Sequence, residues 1–135
     1  MNADERRFEH TELTQRIIGA FYEVYNELGQ GFLESVYESA MAKALRDIGL
    51  KVECQPPTEV RFRGEVVGVF KADLLVNGLV AVELKTARSI DSSHEAQLLN
   101  FLRSTRIELG LLLNFGPAPT IRRMVFANDR KPNLR

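Results

Sequence analysis

The hydrophobic positions of this chain change period along its length. From residue 13 to 28, Ile17, Ile18, Phe21, Val24, Tyr25 and Leu28 recur at three- and four-residue steps, the spacing of one face of an amphipathic helix. Thr11 is its expected N-cap and Gly29-Gln30-Gly31 its stop. A second helix is expected over residues 33–48, with Val36, Tyr37, Ala40, Met41, Ala44, Leu45 and Ile48 on one side and Gly49 as its C′ residue. The period then shortens to that of strands. Residues 51–54, 59–62 and 65–76 read as extended, the last two joined at Arg63-Gly64. Asn77-Gly78 marks a hairpin into residues 79–82. Ser92 with Glu95 predicts a capping box opening a helix to Ser104. Leu109 to Phe115 reads as a buried strand, with Gly110, Asn114 and Gly116 serving backbone geometry at strand ends, and residues 121–126 as a last short one. Two helices, antiparallel strands, a helix and two more strands predict an α/β fold, a mixed central sheet flanked by helices.

The hairpin decides which side chains meet. Val80, Val82 and Leu84 share one face of their strand, and Ala81, Glu83 and Lys85 the other. A strict two-residue turn at Asn77-Gly78 pairs Asp73 with Val82 and sends Asp73 and Glu83 to opposite faces. A three-residue loop, Val76-Asn77-Gly78 with Gly78 as a left-handed bulge, pairs Asp73 with Ala81 and Lys71 with Glu83, and puts both carboxylates on one face. We expect the bulged turn, because it also keeps the apolar faces together.

Composition adds limits. The chain has 135 residues, 44% apolar and 27% charged, which is ordinary for one globular domain. Basic and acidic residues balance at 18 each, so a basic surplus for gripping phosphates exists at most locally. The basic residues Arg122, Arg123, Arg130, Lys131 and Arg135 read as a solvated tail. Cys54, the only cysteine, has no internal disulfide partner, and nothing near it points to catalysis. Two histidines and no paired cysteines argue against zinc. No apolar run has the length of a membrane span, and Asp4, Glu5, Arg6 and Arg7 before Phe8 do not form a signal peptide. A cytoplasmic location without membrane contact is expected.

The candidate chemistry lies on the hairpin. Two carboxylates, Asp73 and Glu83, converging on a strand pair suit a hard cation such as Mg²⁺ or Mn²⁺. A lysine two residues on, Lys85, can hold an attacking water or stabilise charge on a phosphate. Ordinary surface salt bridges, Asp73 with Lys71 and Glu83 with Lys85, are the competing account. Glu34, in the first turn of the second helix, is favoured there by the helix dipole whether or not it binds metal. Tyr37, on the same face, is expected to pack, and His94 to sit exposed at a helix start. Gln97 shares a helix face with His94 and Phe101, a polar group amid leucines.

Several segments taken together resemble a known family. Ala72-Asp73-Leu74-Leu75-Val76 followed by Val82-Glu83-Leu84-Lys85 is similar to the signature of the PD-(D/E)XK nuclease superfamily, with Ala72 where a proline is usual. Gly31-Phe32-Leu33-Glu34-Ser35-Val36-Tyr37 reads G-x-x-E-x-x-Y, His94 to Leu99 precedes Phe101-Leu102, and Gly110 to Gly116 follows. In this order they resemble the small GxxExxY protein family of that superfamily, over about residues 13–126. The resemblance implies a restriction-endonuclease-like core in a single domain over residues 1–135. It implies Asp73, Glu83 and Glu34 as ligands of Mg²⁺ or Mn²⁺, Lys85 as the catalytic lysine and Gln97 as a polar site residue. Nucleic acid, DNA in preference to RNA, is the implied substrate. Since no base-reading element is visible, recognition is expected from a homodimer or a protein partner. A catalytically silent module binding nucleic acid or protein is the alternative, with phosphoester chemistry on a small nucleotide third.

Overall fold

The computed structural model describes the backbone of residues 3–134 and the side chains of residues 10–134. The polar terminus around Asp4 to Phe8, read above from its side chains, and Arg135 lie outside those described side chains. Helix α1 spans Ala3–Leu28 and α2 spans Glu34–Asp47. Strands β1 (Val52–Cys54), β2 (Pro57–Phe62), β3 (Glu65–Lys71), β4 (Leu74–Val76) and β5 (Val80–Lys85) follow. Then come helix α3 (Ser92–Ser104), β6 (Leu109–Phe115), β7 (Pro119–Val125) and two short 3-10 turns, Asn128–Arg130 and Pro132–Leu134.

Five strands form a mixed sheet in the order β1-β4-β5-β6-β7, with β5 and β6 parallel and the other neighbours antiparallel. A parallel pair needs a long crossover, and α3 supplies it. Strands β2 and β3 form a separate two-stranded sheet beside α3, where the Thr58 hydroxyl donates to Ser104 C=O. The α/β class with a mixed sheet flanked by helices is as expected.

Each face of the main sheet buries its own apolar layer. Ile17, Phe21 and Val24 of α1 and Tyr37, Met41 and Leu45 of α2 pack on Leu74, Val82, Leu84, Leu111, Leu113 and Phe115. On the opposite face Leu98, Phe101 and Leu102 of α3 cover Ala72, Ala81 and Leu112. Gly110, at the start of β6, also belongs to this second contact: a Cβ there would meet the Leu98 side chain at 3.0–3.1 Å. Covered on both faces and paired on both edges, β5 is buried at every position before Lys85, which is where its polar residues acquire meaning.

Several local expectations are corrected. Helix α1 starts at Ala3, so Thr11 is a helix-interior residue rather than an N-cap. The strand expected over residues 65–76 is two strands in different sheets, β3 and β4, divided at Ala72-Asp73. The N-cap of α3 is Asp91, not Ser92: the Asp91 carboxylate accepts from Ser93 N–H, while His94 Nδ1 accepts from Asp91 N–H. His94 therefore completes the capping box in place of Glu95. Helix α2 ends as expected, Gly49 at φ +85° and the N–H groups of Gly49 and Leu50 reaching Arg46 and Leu45 C=O, a Schellman motif.

The basic C-terminal segment is not a solvated tail throughout. Arg122 pairs with Glu95 at 2.6 Å. Lys131 is fully buried, its ammonium donating to Thr105 C=O, Ile107 C=O and Asn128 Oδ1 at 2.8–2.9 Å. Burial pulls the Lys131 pKa below its usual value. Among the described residues no helix is long and apolar enough to cross a membrane.

Candidate active site

The hairpin register brings Asp73 and Glu83 to one place. Val76 pairs with Val80, Leu75 with Ala81 and Leu74 with Val82, so the loop is Asn77-Gly78-Leu79. The loop length matches the bulged turn, but the register lies two residues from the one expected, and Asp73 falls level with Glu83 rather than Ala81. Asn77 and Gly78 both hold positive φ, and Leu79 N–H closes the turn on Val76 C=O. Leu79 is the additional residue before pairing begins. Because the shift is even, both carboxylates still fall on the α3 side.

Asp73 sits where the chain leaves one sheet for the other. Its Oδ2 accepts from Leu84 N–H at 2.7 Å, so a side chain takes the place of a ladder bond. Its C=O accepts from Gln55 N–H at 2.8 Å. Both ends of the residue are thereby tied to the main sheet.

Glu83 is the unusual group. It is 3% exposed, and its Oε2 is buried without a hydrogen-bond partner. Burial is the largest cause pushing its carboxyl up to about 8, with the Asp73 carboxylate next; Lys85 partly offsets both, and Glu34 adds a smaller push upward. Lys85 Nζ lies 3.9 Å from Glu83 Oε1, too far for a normal hydrogen bond and close enough for Coulomb attraction. The pairing of Glu83 with Lys85 is thus not the exposed salt bridge considered from sequence.

The remaining expected residues surround this trio. Glu34 opens α2 with an exposed side chain, and Thr86 Oγ1 donates to its Oε2 at 3.5 Å. Gln97 is exposed on α3, its amide donating to Lys71 C=O at 3.1 Å, just before Ala72-Asp73. Among the described residues no group of three or more His, Cys, Asp or Glu side chains gathers closely enough to hold a metal ion. Asp73, Glu83 and Lys85 come together, while Glu34 and Gln97 stand at the margins.

Tyr37 and Asn114 do more than their sequence positions suggested. Tyr37 stacks on Phe115, ring centroids 4.1 Å apart. Its hydroxyl donates to Gly29 C=O and accepts from Phe32 N–H. The aromatic ring fills the core while its oxygen fixes the loop before α2, where Gly31 takes φ +112°. Asn114 holds Ala87 on both sides, Oδ1 accepting from its N–H and Nδ2 donating to its C=O, each at 2.9 Å. A Cβ on Gly116 would lie 2.4 Å from that Ala87 C=O. These residues fix the segment leaving β5, and no local sequence signal marks contacts so distant along the chain.

The PD-(D/E)XK nuclease superfamily model matches residues 11–124, and the chain belongs to that superfamily. No curated protein sequence matches it. The crystal structure of SSO0001 superposes over 97% of this chain with a TM-score of 0.57 at 21% identity, a likeness of fold. This chain spans 66% of that one, just under two thirds of its length. Hjc, a Holliday junction resolvase from the archaeal hyperthermophile Archaeoglobus fulgidus, aligns with 73% of this chain and 91% of its own at 18% identity and a TM-score of 0.41.

Nucleases of this superfamily generally use divalent metal ions, and the donors here suit one. A buried carboxylate oxygen without a partner, next to a second carboxylate, is costly unless protonated or neutralised by a cation. Oxygen donors alone are what Mg²⁺ and Mn²⁺ prefer.

Proposed function

We propose that this chain is a divalent-metal-dependent nuclease hydrolysing phosphodiester bonds of nucleic acid, DNA in preference to RNA. The observation carrying the reading is Glu83, a carboxylate enclosed in the central strand with an unpartnered oxygen, beside Asp73 and Lys85. A domain needing only stability would bury an apolar residue there.

Asp73 and Glu83 would hold Mg²⁺ or Mn²⁺, with Glu34 a further oxygen donor from the start of α2. When bound, such an ion neutralises charge on a phosphoryl oxygen and makes water more acidic. Lys85 positions the attacking water or takes up phosphate charge, its ammonium kept on the site by Glu83. Gln97 acts as a positioning residue, holding Lys71 C=O and through it the approach to Asp73. Hydrolysis then rests on positioning and charge stabilisation.

The GxxExxY branch of the superfamily belongs to this reading. Gly31, Glu34 and Tyr37 act as one unit: a turn in the left-handed region, the first residue of α2, and a hydroxyl tied back to the loop. So do a single domain over residues 1–135 with its core at 13–126, a cytoplasmic location, and recognition through a second copy or a protein partner. A second reading, a silent nuclease fold that binds nucleic acid or a protein, is favoured by Glu34 bonding Thr86 instead of joining the two carboxylates.

Nicking of supercoiled plasmid with Mg²⁺ or Mn²⁺ separates the two. The wild type should nick, and Lys85→Ala should not while melting as the wild type does. A wild type that cuts nothing with either ion leaves the silent reading standing.

A further inference from the structure

Beside the carboxylate site runs an open cleft of about 440 Å³ whose lining includes Gly31, Phe32, Thr86, Arg88 and Pro117. Arg88 and Pro117 also line a neighbouring cleft of about 720 Å³ that continues past Tyr22 to Thr120. The two clefts together form a groove leading away from the end of β5. Three features of its walls set it apart from ordinary surface.

Arg88 is exposed and, among the described residues, makes no hydrogen bond or ion pair. Arg122, which lines the same groove, is engaged by Glu95. The backbone carrying Arg88 is nonetheless held, because Asn114 clamps both polar groups of Ala87. A guanidinium free at its tip, on a backbone already held in place, is suited to capture an anion with only its own side chain left to order. Arg88 follows Lys85 by three residues, so the two backbones lie within about 10 Å.

Phe32 lines the same cleft as Arg88. It is 49% exposed, a large apolar ring held out in solvent. Its loop is fixed by the Tyr37 hydroxyl at Gly29 C=O and Phe32 N–H, and the ring rests edge-on against Tyr37. A rigid exposed ring beside an unpaired arginine is the combination that binds single strands: stacking for the base, charge for the backbone. A duplex keeps its base faces covered and gives Phe32 nothing to stack on.

We propose that this groove binds single-stranded nucleic acid next to the scissile bond, Phe32 stacking a base and Arg88 contacting a phosphate. The inference deepens the nuclease reading and rests on it for the strand's place in the reaction. It makes the substrate one with an unpaired stretch at the site, such as a flap, a tail or a branch.

Fluorescence anisotropy with a labelled single-stranded oligonucleotide and a blunt duplex of the same sequence tests it, in EDTA so that nothing is cut. Phe32→Ala should weaken single-strand binding about 10-fold or more and leave the duplex nearly unchanged, and Phe32→Tyr should restore it. Arg88→Ala should weaken single-strand binding and lower the salt slope by about one unit. Arg88 is exposed and its variant should melt as the wild type, while Phe32→Tyr, which keeps the ring against Tyr37, controls for the packing lost in Phe32→Ala. Equal losses on single strand and duplex, or no loss in either variant, would overturn the proposal. Plasmid nicking by the wild type, measured in parallel, tells the two failures apart. Nicking without Phe32-dependent binding sinks the groove alone, and Phe32-dependent binding with neither plasmid nicking nor cleavage of a flapped duplex in Mg²⁺ or Mn²⁺ sinks the nuclease reading alone.

Discussion

The Asp73 carboxylate accepts a hydrogen bond from the Leu84 N–H at 2.7 Å. A side chain one residue short of β4 thus holds the backbone of β5 between Glu83 and Lys85. It shapes the strand that carries the site as well as contributing a carboxylate to it. Asp73→Ala leaves that N–H without its partner inside the fold and should cost about 1–3 kcal/mol. Asp73→Asn keeps an acceptor and should cost less, while both abolish metal binding. Chemical denaturation of the two variants, with metal titration, checks this.

Glu83 gives the metal-free protein a pH dependence of definite sign. Its carboxyl is raised from 4.5 to about 8, mainly by burial and then by Asp73. The folded state therefore holds a proton that the unfolded chain releases near its ordinary value. That stability is fully present below about pH 4.5 and is lost as pH rises through about 8. Its size is on the order of a few kcal/mol. Glu83→Gln cannot ionise, so its stability relative to the wild type should rise between pH 5 and 8 in EDTA. Denaturation midpoints across that range measure it, and parallel curves would mean Glu83 is not titrating there.

Much of this fold was legible because burial imposes period. Leu109–Phe115 is legible as a buried strand with the observed bounds, since a strand covered on both faces is a continuous apolar run. The α2 stop was legible from Gly49 alone. Asp73, Glu83 and Lys85 were legible as one group because strand alternation fixes faces even when register slips by two. The register was not legible: Asn77-Gly78 marks a turn without saying whether Val76 or Leu79 completes the loop. The break at Ala72-Asp73 escaped because the apolar alternation runs through it, although the two halves join different sheets. The α3 cap is not legible from sequence, because Asp91 and Ser92 are both good caps and only the fold chooses. Lys131 gave no local sign, since its burial depends on carbonyls more than twenty residues away.

Tyr37→Phe keeps the stack on Phe115 and removes the hydroxyl bonded to Gly29 C=O and Phe32 N–H. The expected cost is about 1 kcal/mol or somewhat more in stability. The larger effect should be faster amide exchange confined to residues 29–33. Uniform exchange across α2 instead would assign Tyr37 to packing alone.

Gly116→Ala sets a methyl against the Ala87 C=O that Asn114 holds. The backbone must shift, and a loss of about 1–3 kcal/mol is expected. Asn114→Ala frees Ala87 from the other side and should cost a similar amount. Thermal melts of the two single variants and the double test whether they act on one segment: the double variant should lose clearly less than the sum.

The central claim is that Asp73 and Glu83 form a site for a divalent cation, and calorimetric titration of Mg²⁺ or Mn²⁺ into the metal-free protein tests it most directly. The wild type should bind, and at neutral pH it should release protons as it does so, because the raised Glu83 carboxyl must ionise. Glu83→Ala and Asp73→Asn should show no binding. A wild type that binds neither ion, or a Glu83→Ala variant that binds as the wild type does, would contradict the account.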